Sequence, residues 1–145
     1  MKTKHIKLGM AAITACLLAG VLAAAESKPR RAATQAFMKM KLTHSQGILE
    51  GMALERFDLI SKNALRLRDM TASNHWSIMK QPEYMAHTTN YQKSIDSVYM
   101  AAVDKNLDAV TEAYAKVARN CVECHRLVRT EQRRESLQAA PGKTR

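Results

Sequence analysis

Residues 121–125 read Cys-Val-Glu-Cys-His, inside a long stretch with helical periodicity near the C-terminus. This is the spacing at which haem is attached covalently to c-type cytochromes. Cysteines three residues apart project from one face of a helix, so Cys121 and Cys124 could both join one haem. His125 lies one turn beyond Cys121, where a ring nitrogen could bind the iron. We therefore predict one haem c, attached at Cys121 and Cys124 and ligated by His125.

Other functions of a Cys-x-x-Cys pair fit this sequence less well. A structural zinc site needs four ligands, usually from two such pairs, and the chain has only one pair. A thioredoxin-type redox pair begins a helix after a strand, whereas no strand pattern precedes Cys121. A disulfide between residues three apart on a helix has unfavourable geometry.

The first 25 residues have the pattern of a secretion signal. Three lysines precede an uncharged stretch from Leu8, which ends in three alanines at Ala25. A positive start, an apolar middle and small residues before the cleavage site are the parts of a signal peptide. We predict cleavage near Ala25 and a periplasmic mature protein.

Two alternatives for this segment stay open. The uncharged stretch of 18 residues is long enough to anchor an uncleaved chain in a membrane, although Ala and Gly dominate it. Residues 13–16 resemble the lipobox of a lipoprotein, with Cys16 as the modified residue. Cleavage after Ala25 would instead remove Cys16 and leave only Cys121 and Cys124.

The chain is strongly basic, with a formal net charge of +10, which falls to +7 when residues 1–25 are removed. Much of the excess lies near the two ends of the mature chain. A basic surface favours docking on redox partner proteins that are acidic or bound to membranes. We predict no nucleic-acid binding, because the chain is exported and its basic residues are not interleaved with stacking aromatic residues.

Composition and periodicity predict an all-α fold. Four helices are expected, from about 33 to Gly51, from an N-cap at Asp58 to Met70, from Pro82 to about Lys105, and from Leu107 to about Arg129. We predict that they form an antiparallel up-down-up-down four-helix bundle over 33–130. A linker at 26–32 would precede the bundle, and a basic tail at 131–145 would follow it.

The hydrophobic pattern also predicts which side of each helix is buried. On the first helix the predicted inward stripe is Met38, Leu42, Ser45, Leu49 and Met52. On the second it is Ile60, Ala64 and Leu67. On the third it is Tyr84, Thr88, Tyr91, Ile95, Val98 and Ala102. On the fourth, the apolar seam contains both cysteines, so a haem attached there would belong to the core.

With the haem motif on the last of four helices and Arg129 four residues after His125, the chain resembles the class II c-type cytochromes, the cytochrome c prime family. A second match is Gln35-Ala36-Phe37-Met38-Lys39, which is similar to the family's first-helix segment on the distal side of the iron. The resemblance covers about 33–130. It implies attachment of the haem outside the inner membrane and a place for Arg129 beside the proximal face, although Arg129 could also be an ordinary surface residue.

The second axial ligand of the iron decides the function. Met38 is the candidate, because low-spin members of the family have a methionine at the matching place and because it lies on the predicted inward stripe. Ligation by His125 and Met38 would give six-coordinate iron with a raised reduction potential, suited to electron transfer. The alternatives are Met40, Met52, His44 or no protein ligand, which would leave the iron open to nitric oxide or carbon monoxide.

We therefore expect a periplasmic monohaem carrier of single electrons. We predict no enzymatic activity, since the sequence shows no acid–base pair that would activate a substrate. The alternatives are a five-coordinate gas-binding cytochrome c prime and a haem subunit of a larger periplasmic oxidoreductase. Members of the family are often dimers through their first two helices, so a homodimer stays open.

Overall fold

The structure, a computed structural model, describes residues 31–73, 76 and 81–139. These residues form four α-helices and no strand, which confirms the predicted all-helical fold for the part of the chain described. The helices are α1 (31–53), α2 (Phe57–Met70), α3 (Pro82–Val103) and α4 (Leu107–Ala139). The predicted signal peptide, most of the linker and residues 140–145 lie outside the described residues.

The chain divides into two compact units, Met1–Lys39 and Met40–Arg145, with the boundary inside α1. The first unit contributes the initial turns of α1 to the described residues. The second unit contains the rest of α1 and the other three helices, and α3 packs against both α2 and α4. Within the described ranges, no helix combines the length and apolar character needed to cross a bilayer.

The starts of α3 and α4 follow the local signals in the sequence. α3 begins at Pro82, a position where the missing N–H of proline costs no helical hydrogen bond. α4 begins after Asn106, whose Oδ1 accepts a hydrogen bond from the N–H of Ala109 at 3.0 Å. That bond satisfies one of the free donors of the first turn, as an N-cap should.

Two predicted helix ends are wrong. The N-cap of α2 is Arg56 rather than Asp58, because Asp58 lies in the first turn and pairs with the Arg56 guanidinium at 2.9 Å. α4 continues to Ala139, past its predicted end near Arg129. Neither glycine nor proline interrupts 131–139, and its exposed side chains are mostly those of helix formers. This part of the predicted basic tail is therefore helical.

The core of the second unit contains the side chains predicted for α2 and α3. Ile60, Ala64 and Leu67 of α2 are all buried. The predicted stripe of α3 is buried except for Thr88, which is half-buried. α4 adds apolar side chains and the buried Asn120, whose Nδ2 donates to Ser94 Oγ of α3 at 3.0 Å.

The predicted inward side of α1 is only partly right, since Met38, Ser45 and Met52 are half-buried. Leu42 and Leu49 are 58% and 53% exposed, whereas Ile48 is fully buried and Lys41 is half-buried. The buried side is thus shifted by one residue, which corresponds to a rotation of about 100° around the helix axis.

Two glycines give a physical reason for this rotation. A Cβ at Gly51 would lie 2.7 Å from Ile60 Cγ1, and a Cβ at Gly47 would lie 2.6 Å from Asn63 Nδ2. Because neither glycine has a side chain, α2 can approach this side of α1 closely. The side that packs is therefore poor in apolar residues, and the hydrophobic pattern does not reveal it.

The α1–α2 and α3–α4 connections are built alike. Glu55 and Lys105 have left-handed backbone conformations, with φ values of 51° and 53°. The N–H of the next residue donates to the carbonyl five residues before it, at 2.8 Å after Glu55 and 3.0 Å after Lys105. These are helix endings of the Schellman type, in which glycine is the usual left-handed residue.

Candidate functional site

The thiol pair lies on α4, in continuation of its buried side. Cys121 and Cys124 are one helical turn apart, and both are free and half-buried. The residues just before them, Val117 and Asn120, are buried against the core. The hydrogen bond from Asn120 to Ser94 holds this turn of α4 against α3. Both thiols therefore project from an ordered turn at the edge of the core.

The electrostatics of the pair differ from those of a reactive redox pair. Burial raises the pKa of the Cys121 thiol, and the positive charge of Lys41 opposes that rise only in part. Burial likewise raises the pKa of Cys124. Redox-active pairs instead lower the pKa of a cysteine to obtain a thiolate. The surroundings therefore keep both sulfurs protonated, which disfavours a thioredoxin-type function.

His125 directly follows the pair and has an exposed side chain. Partial desolvation lowers its pKa, and repulsion from Lys41 and Arg129 lowers it further. A lowered pKa favours the neutral imidazole, which is the form that binds a metal ion. Arg129 is itself exposed, one turn after His125, and its charge acts on the imidazole.

A half-buried cation on α1 lies against two aromatic rings. The Nζ of Lys41 lies 3.8 Å from the centroid of the Trp76 ring and 4.8 Å from that of Tyr91. These are cation–π distances. Burial lowers the pKa of Lys41, while Coulombic attraction to Cys121 and Cys124 raises it.

The Trp76 ring is held from several sides. Its Nε1 donates to Thr88 Oγ1 at 3.1 Å, and its ring contacts Tyr91 at a centroid distance of 4.9 Å. Its backbone carbonyl accepts a hydrogen bond from the Tyr84 hydroxyl. Trp76 is accordingly buried, and it gives Lys41 a fixed aromatic surface.

Two tyrosines complete the surroundings of the thiols. The Tyr91 hydroxyl is buried and has no hydrogen-bond partner among the described residues, and burial raises its pKa. The Tyr114 hydroxyl donates to the Ser45 carbonyl at 2.9 Å, which ties α4 to α1. Cys121 contributes to the raised pKa of both tyrosines. The unpaired Tyr91 hydroxyl leaves a donor available to a bound group.

The predicted second iron ligand receives less support from its helix. Met38 is half-buried. However, Leu42 and Leu49, which were expected to share its inward stripe, are exposed. Two of the four residues that share the predicted stripe with Met38 are therefore not inward, whereas the local resemblance of this segment to the family is unaffected. Ligation by Met38 stays a prediction.

The alternative ligands on α1 have distinct surroundings. Met40 is 51% exposed, and Met52 is half-buried. The Nδ1 of His44 donates to Asn63 Oδ1 at 3.0 Å, so the imidazole is held against α2. Asn63 is itself oriented by donating to the Leu59 carbonyl at 2.9 Å.

The side chains of the site fit a haem better than a bare metal ion. Over the described ranges, no group of three or more His, Cys, Asp or Glu residues could hold a metal ion. A haem demands less, because the porphyrin supplies four nitrogen ligands and the protein supplies attachment and axial groups. Cys121, Cys124 and His125 could provide these groups. The Lys41 ammonium and the Tyr91 hydroxyl are polar groups that haem carboxylates could satisfy.

Comparison of the chain with protein-family models, curated proteins and solved structures gives no match in any of the three. Residues 121–125 and the side chains around them therefore carry the functional conclusion.

Proposed function

We propose that this chain is a periplasmic monohaem c-type cytochrome that carries single electrons between redox partner proteins. One observation supports this most strongly. Cys121 and Cys124 are free, half-buried thiols one turn apart on α4, and His125 follows directly. Cys-x-x-Cys-His is the attachment spacing for haem c. When attached, the haem supplies an iron that takes up and returns one electron at a time.

Each proposed residue has a distinct role. The Cys121 and Cys124 thiols would hold the haem as thioethers, by addition of S–H across its two vinyl groups, which requires neither an oxidant nor a reductant. The neutral imidazole of His125 would be the protein ligand of the iron next to the attachment site. Arg129 pairs with a propionate, for which its guanidinium has suitable geometry.

Several features support the finer parts of this proposal. Four helices with short α1–α2 and α3–α4 connections are compatible with the antiparallel bundle of the class II cytochromes. The signal-like residues 1–25 favour a periplasmic location. The net positive charge favours acidic or membrane-bound partners. No substrate chemistry is proposed, and a homodimer is compatible with this function.

The coordination of the iron is tested by the visible spectrum of the reduced protein, with and without carbon monoxide. With Met38 as the second ligand, we expect sharp low-spin bands that carbon monoxide does not change. Met38→Ala should give a high-spin spectrum that shifts with carbon monoxide. Met40→Ala is the matched control, because Met40 is a half-exposed methionine on the same helix.

The outcomes separate the alternatives. An unaltered protein whose high-spin spectrum shifts with carbon monoxide would be a gas-binding cytochrome rather than an electron carrier. If Met38→Ala and Met40→Ala both remain low-spin, then neither methionine ligates the iron. Loss of covalent haem staining in Cys121→Ser and Cys124→Ser together would support the attachment itself, and retention would contradict it.

A further inference from the structure

Lys41 is a half-buried cation that haem attachment does not require. Its ammonium contacts the rings of Trp76 and Tyr91. Tyr91 lies one turn before Ser94 of α3, which accepts a hydrogen bond from Asn120, the residue next to Cys121. Within the described residues, the ion pairs involve other side chains, and no carboxylate lies in salt-bridge distance of Lys41. The positive charge is therefore fixed by aromatic contact beside the attachment site.

An apolar residue would be the expected occupant of this position. Lys41 lies on the same side of α1 as the fully buried Ile48, two turns further along. Burying an ammonium group costs free energy, whereas a leucine would pack against the two rings without that cost. The aromatic rings recover part of the cost through cation–π attraction. A cation thus lies where an apolar side chain would pack at lower cost and where no ion pair stabilises it, which points to an electrostatic role.

We propose that Lys41 raises the reduction potential of the haem iron, because its fixed positive charge favours the reduced over the oxidised iron. This inference rests on the proposed function, since it concerns the haem attached at Cys121 and Cys124. Reduction lowers the charge of the iron by one unit, so repulsion between the iron and Lys41 decreases. The Trp76 and Tyr91 rings hold the ammonium in place and exclude water that would screen it.

The test is a redox titration of the holoprotein, monitored by its visible spectrum. For Lys41→Gln we expect the ratio of reduced to oxidised protein at a fixed potential to fall about tenfold. Coulomb's law gives this order for unit charges about 12 Å apart at an effective dielectric constant of about 20. For a one-electron couple, a tenfold change corresponds to a potential lower by about 59 mV. Glutamine is used rather than methionine because a thioether could itself bind the iron.

Three further variants separate charge from packing. Lys41→Arg keeps the charge and the aromatic contact, so its potential should stay close to that of the unaltered protein. Lys41→Leu removes the charge but preserves apolar contact, and it should lower the potential as Lys41→Gln does. Lys116→Gln removes an exposed charge from α4 and is the control. Solvent screening should keep its effect below about twofold.

The results distinguish this inference from the proposed function. If the haem is attached and neither neutral variant lowers the potential, the role of Lys41 is overturned while the cytochrome stands. Equal decreases in Lys41→Arg and Lys41→Leu would also overturn it, because packing would then set the potential. An unaltered protein that carries no covalent haem would overturn both proposals before any variant is compared.

Discussion

α1 and α3 are both long amphipathic helices, yet only α3 buries the side that its hydrophobic pattern indicates. On α3, Tyr91, Ile95 and Val98 are buried as the pattern predicts. On α1, Leu49 is half exposed while its neighbour Ile48 is fully buried. α3 packs against two helices, so it needs a continuous apolar surface. The described part of α1 instead meets α2 through glycines.

The contrast shows that a hydrophobic stripe predicts the buried side of a helix only where burial of apolar side chains determines how the helix packs. At Gly47 and Gly51, close approach to α2 selects the packed side of α1. The same side then contains His44, which bonds to Asn63 of α2, and Lys41, which contacts Trp76 and Tyr91. Polar groups thus lie inside although apolar leucines are available one residue away.

The largest expected effect is a difference in stability between alanine variants of two neighbouring residues of α1. Ile48→Ala should lower the free energy of unfolding by about 2–5 kcal/mol, because a fully buried side chain leaves a cavity. Leu49→Ala should change it by no more than about 0.5 kcal/mol, since that side chain is mostly in solvent. Urea unfolding monitored by circular dichroism measures both.

Ile95→Ala on α3 is the control for Ile48→Ala, because Ile95 is also fully buried. Its cost should be similar to that of Ile48→Ala. A larger loss for Leu49→Ala than for Ile48→Ala would show that the buried side of α1 is the one its hydrophobic pattern indicates.

A smaller effect tests the glycine contact between α1 and α2. Gly51→Ala should destabilise the protein by about 1–3 kcal/mol, because the new methyl group meets Ile60 and the backbone of Arg56. Gly47→Ala meets only the side chain of Asn63, which can turn away at the cost of its hydrogen bonds to His44 and Leu59. The gain in helix propensity of about 1 kcal/mol offsets part of that cost, so we expect a smaller loss than for Gly51→Ala. Thermal unfolding of the two variants gives the ranking. Equal stability of both with the unaltered chain would exclude a close approach at Gly51.

The smallest effect is expected where α1 and α3 behave alike, at their C-terminal ends. Glu55→Gly and Lys105→Gly should each stabilise the protein by about 0.5 kcal/mol, because glycine adopts the left-handed conformation without the steric cost of a Cβ. Asp104→Gly is the control, since Asp104 has a right-handed helical backbone conformation with φ of −76°. Glycine at this position should destabilise the protein. Stabilisation by all three variants alike would show that relief of the left-handed conformation is not the cause.

Much of the fold is predictable because the relevant signals are local. Pro82 and Asn106 mark the starts of α3 and α4, and the structure confirms both. The start of α2 is less predictable, since Asp58 pairs with Arg56 instead of capping the helix. The extension of α4 to Ala139 is missed because helix formers continue where a tail is expected.

In the candidate site, likewise, some residues are predictable from the sequence and others are not. Cys121, Cys124 and His125 are identified by spacing along one helix, which is visible in the sequence. Lys41 and Trp76 are not identified, since they come from separate segments and neither belongs to a motif. Lys41 and Trp76 come together because α1 packs through its glycine-containing side. In the sequence, Gly47 and Gly51, four residues apart, indicate that side.

By itself, the sequence determines the number and approximate extent of the helices and the position of the Cys-x-x-Cys-His motif on the last of them. Helix periodicity, caps and ligand spacing act over a few residues, so no distant contact is needed to establish them. Only the tertiary structure decides which side of α1 is buried, and therefore that Lys41 rather than Leu42 faces the core. The physical reason is that packing depends on the fit between two surfaces. A helix side with two glycines lets the neighbouring helix approach closely, so it can fit better than a more hydrophobic side.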